Sequence, residues 1–462
     1  MKRLNLSILL FQLVMLASAQ GVKPFQKGDR VVFTGNSITD GGHYHSYIWL
    51  YYMTRFPDRR IDVFNAGIGG DVARQIAERL QTDVFSRKPT VVTLTFGMND
   101  TGYQLLKGSK ADSAYQKAVT TANQSFSQIT QELNRYPQVR KVMIGSSPYD
   151  ETSKINGLVL PGKNAAMLRI VELQQKAAAS HQWDFVDFNR PMTAINLAHQ
   201  QQDSLFTLQG QDRIHPYNDG HMVMAYLFLK AQGLSGVKVA EIGIDAKSEK
   251  TIKQENCRLS NIQAKKGIIS FNYQAFSLPY PVDTEPRGGG KQLRSQADGL
   301  KWVPFTDEFN QERLSIKNLP SKQQYRVKID SVLIGTWTGQ NLNEGVNLAT
   351  IPATPQYQQA LAVMHLNEER WSLERRLREY YWLQYSILKP KGLMGRNGAD
   401  MVDSLTTYAR KDFFVGATLN TFKTARFEPV RIAWQREIDV LTDEIYDINK
   451  PIEHQITIEP IP

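Results

Sequence analysis

Cysteine is almost missing from the 462-residue chain, which contains only Cys257. A single thiol excludes an internal disulfide and a cysteine-built zinc site. Internal repeats and low-complexity tracts are also missing. The composition, 41% hydrophobic and 22% charged, is typical of a folded protein rather than a disordered or collagen-like one. At about 150 residues per domain, the length predicts two or three domains.

Long basic runs are lacking too, although the formal net charge is +10. The 55 basic residues are interleaved with 45 acidic ones. No zinc-finger, RNP or helix-turn-helix pattern is present, so we predict no nucleic-acid partner. The positive balance weakly favours anionic partners such as acidic glycans.

The first twenty residues differ from the rest of the chain. Lys2 and Arg3 precede a mostly apolar run over residues 4–16, which is followed by Ala-Ser-Ala at residues 17–19. This pattern is typical of a secretory signal peptide, here cleaved near Ala19. The run is shorter than the ~20 residues that span a bilayer. We therefore predict an exported protein, periplasmic or secreted, with no membrane span in the mature chain.

The mature sequence divides into three regions by pattern. Residues 20–235 alternate short apolar strands with helices, which predicts an α/β domain with a parallel sheet covered on both faces. Residues 236–350 are rich in strand-like and turn-forming residues and are predicted to form a β-rich accessory module. Residues 351–462 are predicted to be helical, with two long helices that pack as a hairpin.

Four short blocks in the first region carry chemistry. The blocks are residues 35–40 with Ser37, 65–71 with Gly70, 97–100 with Asn99, and 212–216 with Asp212 and His215. The first three follow predicted strands, and the fourth precedes the last predicted helix. Each alone has an ordinary explanation as a turn, a helix cap or a surface pair. Together, in this order, they resemble the SGNH hydrolase family, also called the GDSL esterases, over about residues 28–232.

The resemblance implies a flavodoxin-like, three-layer α/β/α domain and serine esterase chemistry. It makes Ser37 the nucleophile, His215 the general base and Asp212 the group that orients His215. The oxyanion hole would consist of the Ser37 and Gly70 backbone N–H groups and the Asn99 side chain. No cofactor and no metal is implied.

One position departs from the family pattern, because Asn36 stands where the family usually has aspartate. Asn36 keeps an acceptor oxygen but lacks the charge, and we expect activity to survive. Three further histidines lie near the blocks. His43 and His45 could line the cleft, and His221 is expected to be structural.

The expected function is that of an exported serine esterase that hydrolyses O-acyl esters, above all O-acetyl esters, on glycans. A lipid esterase or lysophospholipase would use the same blocks. The alternative of another class is a catalytically inactive glycan-binding protein. The sequence leaves open whether residues 236–462 bind substrate, cover the cleft or stabilise the fold.

Overall fold

The structure, a computed structural model, describes residues 21–286 and 294–462. The expected signal peptide, residues 1–19, lies outside the described residues. Within these two ranges, every helix is too short or too polar to cross a bilayer.

A parallel sheet forms the centre of the first region. Its strands within the described residues are β1 (Arg30–Gly35), β2 (Asp62–Gly67), β3 (Val91–Leu94), β4 (Arg140–Gly145) and β5 (Asp184–Asp187). Their order is β2-β1-β3-β4-β5, and each neighbouring pair is parallel. This is the flavodoxin order, in which the chain changes direction across the sheet between β1 and β3. The expected α/β/α fold is confirmed.

Helices cover both faces of this sheet and thereby bury its strands. The helices are α1 (Ser37–Asp40), α2 (His43–Arg55), α3 (Ala73–Arg79), α4 (Ser109–Asn134), α5 (Lys163–His181), α6 (Asn189–Gln200) and α7 (Asn218–Ala231). Consecutive residues Val31, Val32 and Phe33 of β1 are all fully buried, as expected for a strand between two helical layers.

The second region is a sandwich of two sheets. Its strands are β6 (Ala240–Asp245), β7 (Lys250–Glu255), β8 (Cys257–Lys265), β9 (Ile268–Ala275), β10 (Glu312–Lys317), β11 (Gln324–Ile329), β12 (Val332–Thr338) and β13 (Val346–Asn347), with short helices α8 (Phe305–Phe309) and α9 (Gly339–Glu344). One sheet has the order β13-β10-β6-β7. The other has the order β12-β11-β14-β9-β8, where β14 (His454–Pro460) comes from the far end of the chain. Residues of both sheets, such as Ile242 and Phe271, share one apolar cluster.

The third region is helical up to residue 448. Its helices are α10 (Pro355–Trp382), α11 (Ala399–Ala409), α12 (Phe413–Ala425) and α13 (Glu428–Ile448). The long helices α10 and α13 pack against each other, with Ile438 of α13 against Leu373 and Leu377 of α10. The turn and helices between them pack on the end of α10.

The strand β14 departs from the expected helical character of residues 351–462. Ile456 and Ile458 are fully buried, while the alternate residues Gln455 and Thr457 are not. This period of two is the pattern of a strand with one face on a core. The strand pattern of β14 follows Pro451 and is short. The sequence analysis did not separate it from the long helical patterns before it.

Apolar packing joins the three regions. One cluster contains Ile48 of α2, Leu278 of the second region, and Val363 and Tyr446 of the helical region. The Tyr446 hydroxyl also bonds the backbone of Ile61 and the Trp49 indole. The boundaries at residues 235/236 and 350/351 remain predictions, since this core continues across both.

Candidate active site

The four sequence blocks meet at the carboxyl end of the parallel sheet. Ser37 is the first residue of α1, one residue after the N-cap Asn36 that follows β1, and Asn99 lies in the loop after β3. Both therefore lie at the point where the strand order reverses. Open α/β sheets bind their ligands at this place. The end of β2 at Gly67 and the loop that follows it to Gly70 lie beside them, where they contact α1.

Ser37, His215 and Asp212 form a hydrogen-bonded chain. Ser37 Oγ lies 2.7 Å from His215 Nε2. The other ring nitrogen, His215 Nδ1, lies 2.5 Å from Asp212 Oδ2. With Nδ1 protonated and donating to the carboxylate, Nε2 accepts from the serine hydroxyl. This arrangement gives a serine both a base and a group that orients the base.

The Asp212 carboxylate is held by its own loop. Its Oδ1 accepts from the backbone N–H groups of Ile214 at 2.9 Å and His215 at 3.0 Å. Burial acts to raise the pKa of Asp212, but the hydrogen bond and charge of His215 and these backbone donors outweigh it. The pKa therefore lies below its ordinary value, and the carboxylate stays ionised at neutral pH.

Arg213 fixes the loop between the aspartate and the histidine. It is buried, and its guanidinium donates to the carbonyl oxygens of Asp150, Ser153 and Ile155. Its φ of 67° lies in the left-handed region that non-glycine residues seldom adopt. Three hydrogen bonds hold this uncommon backbone, which turns Asp212 back towards His215. Sequence reasoning gave Arg213 no role, because a lone arginine carries no spacing signal.

The three expected oxyanion donors come from different loops. Gly70 has φ of 87°, so a residue with a side chain would be strained there. The Asn99 amide is oriented at both ends: Nδ2 donates to the Asp71 carbonyl oxygen at 2.9 Å, and Oδ1 accepts from the Tyr103 hydroxyl at 2.6 Å. The amide carries two N–H donors, so one donor is not used by Asp71.

Asp100 and Lys163 stabilise the loop that carries Asn99. The Asp100 carboxylate accepts from the Gly97 and Ala73 backbone N–H groups. Burial nevertheless raises its pKa to about 6. Lys163 Nζ donates to the Met98 and Gly102 carbonyl oxygens and to Thr101 Oγ1. Burial lowers the pKa of Lys163 to about 7.

Helix α10 binds the backbone of residues 65–71, which we call the glycine loop, through three side chains spaced four residues apart. Glu374 accepts from the Asn65 N–H at 2.8 Å. Arg378 donates twice to the Gly67 carbonyl oxygen, and Trp382 Nε1 donates to the Gly69 carbonyl oxygen at 3.0 Å. Four helical residues rise about 6 Å and two extended residues about 6.6 Å, so the two spacings match. The helical region therefore holds the loop that leads to Gly70.

A buried ion-pair network supports this contact. Arg378 pairs with both carboxylate oxygens of Asp83, which also pairs with Arg79. Burial alone would raise the pKa of Asp83, but the neighbouring arginines, Arg378 first, lower it far below its ordinary value. The network keeps Arg378 charged and in place beside the glycine loop.

The cleft above Ser37 has a volume of about 870 Å³. Its floor carries Ser37, Asp40, Asp212 and His215. A second part of the lining comes from α10 and α12, and consists of Trp371, Arg375, Glu379, Trp382, Phe413, Phe414, Ala417 and Thr418. Residues of the helical region thus line the same cleft as the proposed nucleophile. The sequence had left this open, because no local pattern links residues more than 300 positions apart.

The three histidines near the sequence blocks differ in how they lie relative to the cleft. His43 lines the cleft and packs on Trp371, with ring centroids 4.6 Å apart. His221 also lines the cleft, although it is nearly buried. His45 is fully buried, and burial lowers its pKa to about 4. Among the described residues, no group of histidine, cysteine and carboxylate side chains is arranged to hold a metal ion.

Two family models match the chain. One is described as the GDSL-like Lipase/Acylhydrolase family and matches residues 33–223. The other is described as the Diltiazem deacetylase C-terminal helical domain and matches residues 361–450. The first match covers the four blocks, and the second covers the part of α10 and the whole of α12 that line the cleft.

Three individual proteins are similar to this chain. A solved structure of a gut microbial diltiazem-metabolizing enzyme is 48% identical, with a TM-score of 0.92, and the match covers 96% of this chain and 100% of that one. An acetylxylan esterase of Geobacillus stearothermophilus is 24% identical over 229 residues, which are 46% of this chain and 97% of the esterase. The uncharacterized lipoprotein YqeF of Bacillus subtilis (strain 168) is 36% identical over 76 residues, 15% of this chain and 31% of that protein.

Proposed function

The chain belongs to the GDSL-like lipase/acylhydrolase (SGNH) family and is a serine ester hydrolase, and we propose that it removes O-acetyl groups through Ser37, His215 and Asp212. The observation that carries the proposal is the chain of two short hydrogen bonds, 2.7 Å from Ser37 to His215 and 2.5 Å from His215 to Asp212. A surface Asp-His pair would not have a serine at the second ring nitrogen, in a cleft at the sheet's reversal point.

The reaction begins when Ser37 Oγ attacks the ester carbonyl carbon and His215 Nε2 takes its proton. The oxyanion that forms accepts hydrogen bonds from the Ser37 and Gly70 N–H groups and from the Asn99 amide. His215 then gives the proton to the departing alcohol, which leaves an acyl group on Ser37. Water, deprotonated by His215, attacks the acyl carbon of this acyl-enzyme. The bond from the acyl carbon to Ser37 Oγ then breaks, His215 returns the proton to Ser37 Oγ, and the acid departs. The Asp212 carboxylate stabilises the imidazolium in both halves.

For the substrate, we propose an acetylated glycan. The similarity to an acetylxylan esterase over the catalytic region supports this. Cleft tryptophans also suit the apolar faces of sugar rings. Export fits a substrate outside the cytoplasm, and the signal-peptide pattern of residues 1–19 supports it.

A second candidate substrate is the acetyl ester of a small ring-bearing molecule. The observation that favours it is the match, at 48% identity and over 96% of this chain, to a diltiazem-metabolizing enzyme. Both candidates require the same acetyl chemistry and differ in the alcohol that leaves.

The test is acetate release from p-nitrophenyl acetate, acetylated xylo-oligosaccharides and a heterocyclic drug acetate. Ser37→Ala and His215→Ala should each abolish turnover while the thermal unfolding curve stays unchanged. Ser204→Ala, at an exposed serine outside the cleft, is the matched control and should retain full activity. Residual turnover above a few per cent in Ser37→Ala would disprove the assignment. A preference for long acyl chains would instead identify a lipid esterase, and the absence of turnover by the unaltered protein would favour a binding protein.

A further inference from the structure

We propose that helices α10 and α12 form the binding site for the alcohol part of the ester, and that this site selects an uncharged alcohol with a flat apolar ring face. The site is the aromatic wall, which we define as Trp371, Trp382, Phe413 and Phe414. The inference rests on the proposed function, because it assigns the group that leaves Ser37.

Phe413 and Phe414 are exposed to a degree that packing does not explain. They are 82% and 67% exposed, and Phe414 and Phe413 contact each other with ring centroids 5.7 Å apart. Phe414 also lies 6.4 Å, centroid to centroid, from Trp382. Exposed aromatic surface of this kind is unfavourable in water and marks a place where an apolar ligand binds.

Helix α12 is anchored, so these two rings are presented on a fixed element. The Asp412 carboxylate caps the helix by accepting from the Phe414 and Val415 N–H groups. Val415 and Phe422 are fully buried in the cluster that joins α12 to the end of α10. The phenylalanines lie one turn before Ala417 and Thr418, which also line the cleft. Their side of the helix therefore faces the ligand space, and the opposite side faces the core.

The two tryptophans are also held in place by the protein. Trp382 Nε1 donates to the Gly69 carbonyl oxygen, and the Trp371 ring packs on His43. Gly42, with φ of 82°, leaves room for Trp371, since a Cβ at this position would collide with the indole nitrogen. Rings held before the ligand arrives lose little conformational entropy when it binds.

The charges in the cleft favour an uncharged alcohol over an anionic one. The Arg375 guanidinium pairs with Glu379, with Nε and Oε1 3.5 Å apart. Asp212 adds a negative charge to the lining, and Asp40 adds a second one above pH 6, since burial raises the pKa of Asp40 to about 6. The cleft beside the aromatic wall therefore lacks the positive net charge of the whole chain. Its acidic side chains would repel an acidic glycan.

A pyranose ring and an aromatic ring both offer the required face, and paired substrates separate them. The substrates are acetylated xylobiose, 2-naphthyl acetate, triacetin as an acetyl ester without a ring, and an acetylated galacturonic acid disaccharide as the anionic counterpart. The variant is the double substitution Phe413→Ala and Phe414→Ala. Phe427→Ala, at an exposed phenylalanine outside the cleft, is the matched control.

We expect the double variant to raise KM about tenfold for at least one ring-bearing acetate, as loss of aromatic contact predicts. KM for triacetin and kcat for all esters should stay within about twofold, and Phe427→Ala should resemble the unaltered protein. An effect confined to xylobiose identifies a sugar alcohol, and one confined to the naphthyl ester identifies an aromatic alcohol. Unchanged KM for both ring-bearing esters, or a preference for the galacturonic ester, would overturn the inference while the esterase function stands.

A binding measurement keeps the inference testable if turnover fails. Tryptophan fluorescence of Ser37→Ala is titrated with xylobiose and 2-naphthol, with and without the two phenylalanine substitutions. Weaker binding of either alcohol to the substituted protein supports the aromatic wall, even where no ester is cleaved and the proposed function is lost. Equal binding by the two proteins rejects the wall as the alcohol site.

Discussion

At the residue scale, the charge on Asp212 determines how the candidate site responds to pH. Its pKa lies below the ordinary value because the contacts with His215 and the loop N–H groups outweigh burial. A carboxyl with a depressed pKa contributes stability above its unfolded-state pKa and loses it as pH falls through the folded-state pKa. At pH 5 and above, Asp212 is therefore ionised.

We expect kcat/KM to depend on the Asp212 charge throughout the range from pH 5 to 9, because the pKa of Asp212 lies below its ordinary value. Asp212→Asn keeps the shape but loses the charge, and should lower kcat/KM by about 10³-fold or more, as in comparable triads. Asp58→Asn, at an exposed position outside the cleft, is the control. The measurement is hydrolysis of a short acetyl ester from pH 5 to 9. A loss below twofold in Asp212→Asn would remove Asp212 from the orienting role.

Sequence patterns predicted the proposed catalytic residues but not the residues that hold them in place. Ser37 and Asn99 lie in short blocks after predicted strands, and His215 lies in a block before the last predicted helix. Strand prediction and block order together indicate these residues. Tyr103 and Lys163 lie outside those blocks. Tyr103 contacts Asn99 from four residues further along the same loop. Lys163 reaches the loop from the first residue of α5, which packs on β4, and no local pattern encodes that contact.

At the element scale, helix α10 holds the backbone of the glycine loop in a fixed position. Its Glu374, Arg378 and Trp382 side chains follow the backbone from Asn65 to Gly69 at matched spacing. The sequence predicted two long helices that pack as a hairpin, with an apolar stripe on the second helix. The polar contacts of α10 could not be predicted, because the same charged residues would suit an exposed helical face.

Arg378→Met should weaken both the fold and catalysis. It leaves the Gly67 carbonyl oxygen and part of the Asp83 charge without a partner in a buried place, and breaking such a pair costs about 3–5 kcal/mol. Thermal and denaturant unfolding measure the first effect, and kcat for triacetin the second. Arg378→Lys should recover part of the stability. Arg376→Met, at an exposed position of the same helix, is the control. Equal behaviour of the two methionine variants would contradict the role of α10 in holding the glycine loop.

At the scale of the whole molecule, the three sequence regions form one assembly. The parallel sheet was predictable because strands and helices alternate over short distances along the chain. The shared core and the composite cleft were not, since both depend on contacts between distant parts of the chain. The strand β14 shows the same limit, because its partners β9 and β11 lie far before it in sequence.

Loss of β14 should disrupt the accessory sheet from its middle. Ile456→Ala removes a fully buried side chain and should lower the free energy of unfolding by about 2–5 kcal/mol. Thr457→Ala, on the opposite face of the strand, should change it by less than about 1 kcal/mol. A chain ending at residue 453 should collect in the insoluble fraction. Soluble, active protein from that truncated gene would show that the sheet stands without its middle strand.

The position of β14 late in the chain also determines when the accessory sheet can be completed during synthesis. It is the last of the described elements to leave the ribosome, and until it pairs, β9 and β11 each present an open backbone edge. Open edges invite pairing with other chains. Helix α10 is also made after the glycine loop that it holds. An interrupted chain would therefore be inert as a hydrolase and prone to aggregation, which makes it a target for proteases before it could act.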